Sequence, residues 1–520
     1  METPAQPQKS FFKRWWFWII GSIFLIGLFL LGFAAYSGYQ NDQKSPEEKA
    51  KEAQEKNQKL GFNKRVVKTF TPSSGTAFKY ASPLLYSDHI YIGSSERIGY
   101  DNAPISKIHD NFFYKFDLDL NVKWQYPLQK KMVAGGAVMD SNHNLYFITE
   151  LLDDKNNANK KELIFSTTYL TSLTEDGKFR FEKQLSEDME YWDHAYITPA
   201  ISKDNIIYFG DSRFYAFDTE GNKLAQYPDE NSKKFISYGG SPIIDQSGNV
   251  YFTSPEPVLT TSIKVDEKGL NYPKHDVVRA YKFTPKLASV IWSTVMGNEM
   301  LDNEGGNPNG GGGQKANGIE SPPVFGLGGK VLYGLVGCTI SKIDTETGKL
   351  LWSLKPDGAT GHFNASPAID AEDNLYVGTK SNIESRFYAI SSEGKQLWRN
   401  DIGSDLYNSP ILGDDNKVYV GSETNPKGKF HAINMKTGKE EWTIGKDSER
   451  KIPDFTHDAM LLYKGYVYIG VHSAVEGEEK DAAFVPTFYK IKVDAKNYLP
   501  GSPWPRIFGG NSNSGRQLKI

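Results

Sequence analysis

A chain of 520 residues with 30 Phe, 29 Tyr and 10 Trp is long enough and aromatic enough to bury an extensive core. Its formal net charge of −3, with both signs mixed along the chain, leaves no basic footprint, so no nucleic-acid partner is expected. The single cysteine, Cys338, excludes an internal disulfide and any multi-cysteine metal site, and its apolar surroundings read as those of a buried structural thiol.

Residues 1–14 are polar and end in Lys13-Arg14, and residues 15–36 carry no charge at all. About 20 apolar residues cross a bilayer as a helix, and the Trp cluster at the start of this stretch suits a membrane interface. The expectation is a single transmembrane helix, residues 15–36, in contact with the lipid bilayer. A cleaved signal peptide is the competing reading, but its apolar core is usually only about 7–15 residues. Lys9, Lys13 and Arg14 precede the span and the next positive charge is Lys44, which puts the N-terminus in the cytoplasm and the bulk of the chain outside it. The lysines of 44–59 are more numerous overall but are mixed with acids. With no cysteine after the apolar stretch, lipid attachment at a processed N-terminal cysteine is impossible. Ser45-Pro46-Glu47-Glu48 has capping-box spacing with Pro at the first helical position, and residues 37–64 read as a polar stalk, helical or disordered.

From Arg65 onward a repeat takes over. Its plainest copy is Ala365–Gly403: two hairpins whose short alternating runs are separated by the turns Asp370-Ala371-Glu372-Asp373 and Ser391-Ser392-Glu393-Gly394. Two successive hairpins make a four-stranded antiparallel sheet, one blade of a propeller. The first hairpin recurs eight times, each copy with a tyrosine in its second strand: Tyr91, Tyr146, Tyr208, Tyr251, Tyr333, Tyr376, Tyr419 and Tyr468. A Pro near the start of the first strand (Pro83, Pro199, Pro242, Pro367, Pro410) fits a site without a ladder hydrogen bond. Fourth strands carry Trp124, Trp292, Trp352, Trp398 and Trp442; blade 2 has Phe181 there, and the Ala225-Gln226 region of blade 3 lacks the aromatic ring. These rings are expected to fill the widening gap between blades. The fold class is therefore all-β, an eight-bladed propeller of four-stranded antiparallel blades over residues 65–516. Val66–Phe70 is expected to close the ring on the final blade, because sequence-distant ends must meet to remove exposed edges.

Ile343 to Trp352, I-D-T-E-T-G-K-L-L-W, resembles the repeat of PQQ-like β-propellers, and Ile433 to Trp442 is a second copy. Gly501 to Arg516 is similar to the closing segment of that family. The family includes quinoprotein dehydrogenases and the non-enzymatic B subunit of the outer-membrane barrel-assembly machinery, so it implies the fold far more firmly than any activity. The dehydrogenases imply an adjacent Cys–Cys pair beside the quinone and a carboxylate-bound calcium in the funnel. The chain has one cysteine, and its acidic run 370–373 occupies a hairpin turn, so no catalytic residue, cofactor or metal ligand is expected. The nine histidines include no H-x-x-x-H pair, and His431 replaces the tyrosine of neighbouring third strands. The Gly-rich run 305–318 has a Lys but no adjacent Ser or Thr, and reads as a surface loop, not a phosphate cradle.

The long insertions 96–111, 151–166, 255–276 and 473–486 lie between second and third strands, and 297–319 lies between blades. In a four-stranded blade those two connections leave from one face, so all five crowd together there. The leading expectation is a membrane-anchored, non-catalytic scaffold that binds envelope or membrane proteins through this loop-rich face. The alternative is an extracytoplasmic ligand- or carbohydrate-binding module, and a quinoprotein dehydrogenase is the remote third.

Overall fold

The computed structural model describes residues 65–516 apart from 73–75, 79–80, 96–109, 153–163, 192–196, 212, 230–240, 258–263, 266–270, 273–274, 298–321, 364, 382–383, 404, 423–428, 445–458, 471–474, 477–482 and 485–487. The membrane span expected at 15–36, the tail before it and the stalk at 37–64 lie outside the described residues.

Eight antiparallel sheets follow one another along the chain. Blades 1 to 7 occupy residues 84–127, 131–191, 200–227, 243–297, 324–354, 368–400 and 411–444, and blade 8 occupies 461–492. Seven keep the simple order first-second-third-fourth; blade 2 adds Lys131–Val133 beside Val138–Met139 on the same side of its second strand. The expected closure is present. Val66–Phe70 forms the fourth strand of blade 8, with Phe70 opposite Phe488 and Thr69 opposite Tyr489. Phe70 then packs edge-on against Phe116 of blade 1 at 4.8 Å, joining the last blade to the first.

First strands are very short, as in Ala200–Ile201, Ile243–Ile244 and Ile411–Leu412, and each follows directly on the Pro of the repeat. The core is divided into clusters that lie between blades, so each blade buries its faces against its two neighbours. A single blade cannot be stable alone, which is why the repeat must close.

The Trp of the fourth strand works as the joint. Trp398 lies over Gly438 in the third-to-fourth turn of the next blade, where a methyl group would meet the indole at 2.6 Å. Gly438 also holds φ at +68°, a left-handed conformation that glycine alone adopts without strain. The indole N–H of Trp398 donates to the carbonyl of Met435 in the same turn at 2.7 Å. Trp124, Trp292 and Trp352 repeat this on Glu175, Thr345 and Ser392 at 3.1 Å each. In the motif copy Asp344 to Trp352, the Asp344 carboxylate accepts from the Thr347 N–H and hydroxyl, which shapes the turn that Trp292 covers. Lysines of third strands reach the same turns: Lys115 to Glu175, Lys282 to Thr345 O, Lys342 to Ser392 O and Lys490 to Asp119.

The repeated tyrosines are core, as expected. All eight are buried, and burial holds each phenol above the ordinary tyrosine pKa, so each remains a neutral hydroxyl. Their hydroxyls are satisfied locally or across the joint, for instance Tyr376 by Asp370 at 3.0 Å and Tyr468 by Leu118 O at 3.0 Å.

Candidate functional site

The two faces of the ring differ. First-to-second and third-to-fourth connections are tight turns, and several of them share one device. In Asp140, Asp245 and Asp370, one carboxylate oxygen accepts backbone N–H groups two and four residues on, and the other accepts the Asn side chain at the fourth position. Asp370 thereby uses both oxygens within its own turn, which agrees with reading the acidic run as a hairpin and not as a cation loop. Second-to-third and inter-blade connections leave from the opposite face. Much of each long insertion falls outside the described residues, apart from strand extensions and two short hairpins, Lys264–Val265 with Asn271–Tyr272 and Val475–Glu476 with Ala483–Phe484. Every strand that enters or leaves an insertion is described and meets that face.

The tight-turn face is closed by a segment whose path the sequence did not reveal. Residues 498–516 run across the ring, taking hydrogen bonds from residues of the first strands: Leu85 N to Asn511 O, Ile201 N to Ser514 O, Ile244 N to Gly515 O, Ile369 N to Trp504 O and Leu412 N to Pro505 O. Trp504 is fully buried there, edge-on to Phe325 at 5.8 Å. Arg506 is buried with it, bonded to Gly510 O and Ser82 Oγ, and makes no ion pair among the described residues. The hydroxyls preceding the repeat prolines form a belt above this plug: Thr198 Oγ1 accepts from Gly136 N, Ser241 Oγ from Thr198 N, and Ser409 Oγ from Ser366 N.

The requirements implied by the quinoprotein resemblance are not met by the residues present. Cys338 is buried, its thiol donating to Gly361 O at 2.9 Å, and there is no second cysteine to pair with it. Among the described residues no group of three or more His, Cys, Asp or Glu side chains could hold a metal ion.

One relay-like constellation exists in blade 7. The His431 ring lies between Ser422 Oγ, 2.9 Å from Nε2, and Glu440, 2.7 Å from Nδ1. Ser422 is fully buried and sits at the end of a second strand, where blade 6 has Thr379 and blade 1 has Ser94. It is a hydroxyl of the blade framework, and burial lowers the His431 pKa despite the opposing hydrogen bond from Glu440. Packing accounts for His431, as expected from its place in the repeat.

The joint between blades 2 and 3 departs from the rest. Phe181 stands in for the indole over Gly221, and the lost N–H is replaced by Arg180, which donates to Thr219 O at 3.1 Å and to Tyr146 Oη at 2.7 Å. A groove of about 440 Å³ opens beside the smaller ring. Lys183, Arg213, Tyr215, Phe217, Lys223 and Gln226 are among the residues that line it, with Lys223 Nζ donating to Gln226 Oε1 at 2.6 Å. At the next joint, where Ala225 lacks a ring, the gap is filled from the other side by Leu287, whose turn also donates Lys286 N–H to Tyr208 Oη at 3.0 Å. The two aromatic gaps are visible in the sequence; that only one of them is refilled is not.

Comparison with known proteins agrees with this architecture. Residues 337–478 match the family described as "Outer membrane protein assembly factor BamB". No curated protein matches the chain. Among solved structures, the quinohemoprotein alcohol dehydrogenase from Comamonas testosteroni is similar at a TM-score of 0.52 and 13% identity, covering 82% of this chain and 76% of that one. BamB from Moraxella catarrhalis is similar at 0.49 and 13% identity, covering 82% and 99%. The Dos1 propeller gives 0.49 and 9%, covering 84% and 97%. At such identities the likeness concerns fold and not activity. The recurring turn-glycine and tryptophan joint, the eight-bladed ring and the match over 337–478 together support a PQQ-like β-propeller.

Proposed function

We propose that this propeller is a membrane-anchored, non-catalytic scaffold of the cell envelope that recognises protein partners through its loop-rich face. The observation that carries the reading is the asymmetry of the ring. One face is trimmed to self-satisfied turns and sealed by residues 498–516, whereas the strand ends of every long connection meet the other. A rigid framework with variable connections gathered on one side is the usual arrangement of a recognition surface. The uncharged stretch 15–36 would hold the ring beside the membrane, with the N-terminus in the cytoplasm. The test is crosslinking and affinity capture from intact cells with full-length protein and with variants lacking 305–313 or another of the long connections. Loss of the captured set with at least one deletion is expected; capture unaltered by all of them would overturn the reading. Reporter fusions at residues 2 and 516 test the orientation, with opposite signals expected from the two ends.

A second reading, a ligand-binding module, is favoured by the groove between blades 2 and 3. The remote third reading is a quinoprotein dehydrogenase. An absorbance titration with PQQ and calcium tests it directly, and no spectral change is expected.

A further inference from the structure

We propose that the plug on the tight-turn face holds a small monovalent anion of the chloride class against the Arg506 guanidinium. The site is independent of the scaffold reading and of the loop-rich face. Arg506 is 1% exposed, and no Asp or Glu pairs with it among the described residues. Its Nη1 donates to Gly510 O and its Nη2 to Ser82 Oγ, each at 3.1 Å, and the Tyr498 hydroxyl accepts a further bond. Tyr498 does not balance the charge, because burial raises its pKa and keeps the phenol neutral. Arg506 Nε has no hydrogen-bond partner.

Burying a guanidinium without a counter-charge is costly, and arginine does not escape that cost by losing its proton. The carboxylates of the first-to-second turns do not meet the demand, since Asp140, Asp245 and Asp370 accept their bonds inside their own turns. The unmet polarity is concentrated in the plug. Of the eleven buried side-chain polar atoms without a partner among the described residues, three lie within residues 498–516: Trp504 Nε1, Arg506 Nε and Asn511 Oδ1. Buried polar atoms left over in a native fold mark places where water or an ion completes the bonding. Two of these three are N–H donors, which suits a ligand that only accepts. A water would satisfy Nε but leave the charge unbalanced, and a metal cation would be repelled.

Enclosure sets the size of the ligand. Ser82 and Asn513 are buried together with Arg506, so a peptide carboxylate has no approach, whereas a halide is close to water in size. The position also gives the ion a task. Ser82 Oγ donates to Asn513 Oδ1 at 3.1 Å, and Asn513 Nδ2 donates back to Ser82 O at 3.0 Å. Arg506 therefore joins the plug to blade 1 at its crossing point, and neutralising it secures that crossing.

Thermal unfolding of the full chain tests this at constant ionic strength, with sodium gluconate replaced stepwise by sodium chloride. The midpoint should rise by roughly 1–2 °C per tenfold chloride. Arg506→Gln, which keeps an amide donor without the charge, should remove that dependence. Crystals of the full chain grown in sodium bromide and measured at the bromine edge should give an anomalous peak roughly 3–3.5 Å from Arg506 Nε. No peak at Arg506 would overturn the proposal, and peaks at surface positions alone would mean an adventitious ion only. A midpoint indifferent to chloride, or a dependence that survives in Arg506→Gln, would overturn it too. If Arg506→Gln does not fold, the bromide peak in the unsubstituted chain decides.

Discussion

The joint between blades 6 and 7 and the joint between blades 2 and 3 solve one packing problem in two ways. In the first, a single indole covers a left-handed glycine and donates its N–H to the turn beneath. In the second, those tasks are divided: Phe181 covers Gly221, and Arg180 supplies the donors. Dividing them puts a phenyl ring and a guanidinium where the other joint has a single indole, and a groove lined in part by Gly221 lies beside that turn.

Changes at the joints separate these two solutions. The largest effect should come from the joint made by the chain ends: removing residues 61–72 strips the outer strand and Phe70 from blade 8. A stability loss of at least about 3–5 kcal/mol is expected, the range for deleting one buried aromatic side chain. Differential scanning calorimetry checks it, and an unaltered melting temperature would refute the closure. Next, Gly438→Ala combines a positive φ with a methyl group 2.6 Å from Trp398, so about 2–4 kcal/mol is expected in denaturant titrations. Gly221→Ala carries the same φ penalty at +80° and a methyl group 2.7 Å from the Phe181 ring, so a comparable loss is expected. A much smaller loss would mean that the phenyl ring yields where the indole does not. Arg180→Ala should cost about 1–3 kcal/mol by leaving Thr219 O and the Tyr146 hydroxyl short of a donor.

The smallest effect separates blade 7 from blade 6, whose Tyr388 occupies the third-strand position of His431. Burial lowers the His431 pKa below the ordinary 6.5, with Glu440 only partly opposing it. The unfolded chain therefore binds the proton more readily than the folded one. Stability should hold above about pH 6.5 and fall as the pH drops below that value. His431→Tyr should flatten this part of the stability–pH curve, and an unchanged slope would place the titration elsewhere. The ring closure adds a more acidic step. Burial works to raise the Asp494 carboxyl, but bonds from Arg65, Trp442 and Lys417 outweigh it and hold the pKa at about 2. Their contribution is complete above the ordinary 3.8 and is lost as the pH falls toward 2.

Much of the fold is legible in the chain because its cause is local and repeated. Eight tyrosines, the prolines before the first strands and the tryptophans after the turn glycines mark blade, entry and joint, and Val66–Phe70 falls where a closed ring requires it. The site is less legible because its causes are not local. The path of residues 498–516 depends on hydrogen bonds to five first strands, and no pattern within the segment announces those partners. The missing rings at Phe181 and Ala225 stand out in sequence, yet whether a gap stays open depends on the next blade. Leu287 packs into one, and Phe181 with Arg180 takes the place of the indole at the other. Lysines 115, 282, 342 and 490 look like ordinary solvent-facing strand residues until the neighbouring turn is placed beside them.

The plug and the closing strand also set a timetable. Val66–Phe70 is made early, yet its partner strand Phe488–Lys492 comes more than four hundred residues later. The segment that ties five blades together is later still. During synthesis a growing row of blades has an open edge at each end and no floor, and such edges invite pairing with other chains. Only when the last stretch arrives do both edges and the floor disappear together. The ring is therefore a structure that locks once, at its end, and a chain stalled before residue 498 is an exposed intermediate and not a smaller propeller.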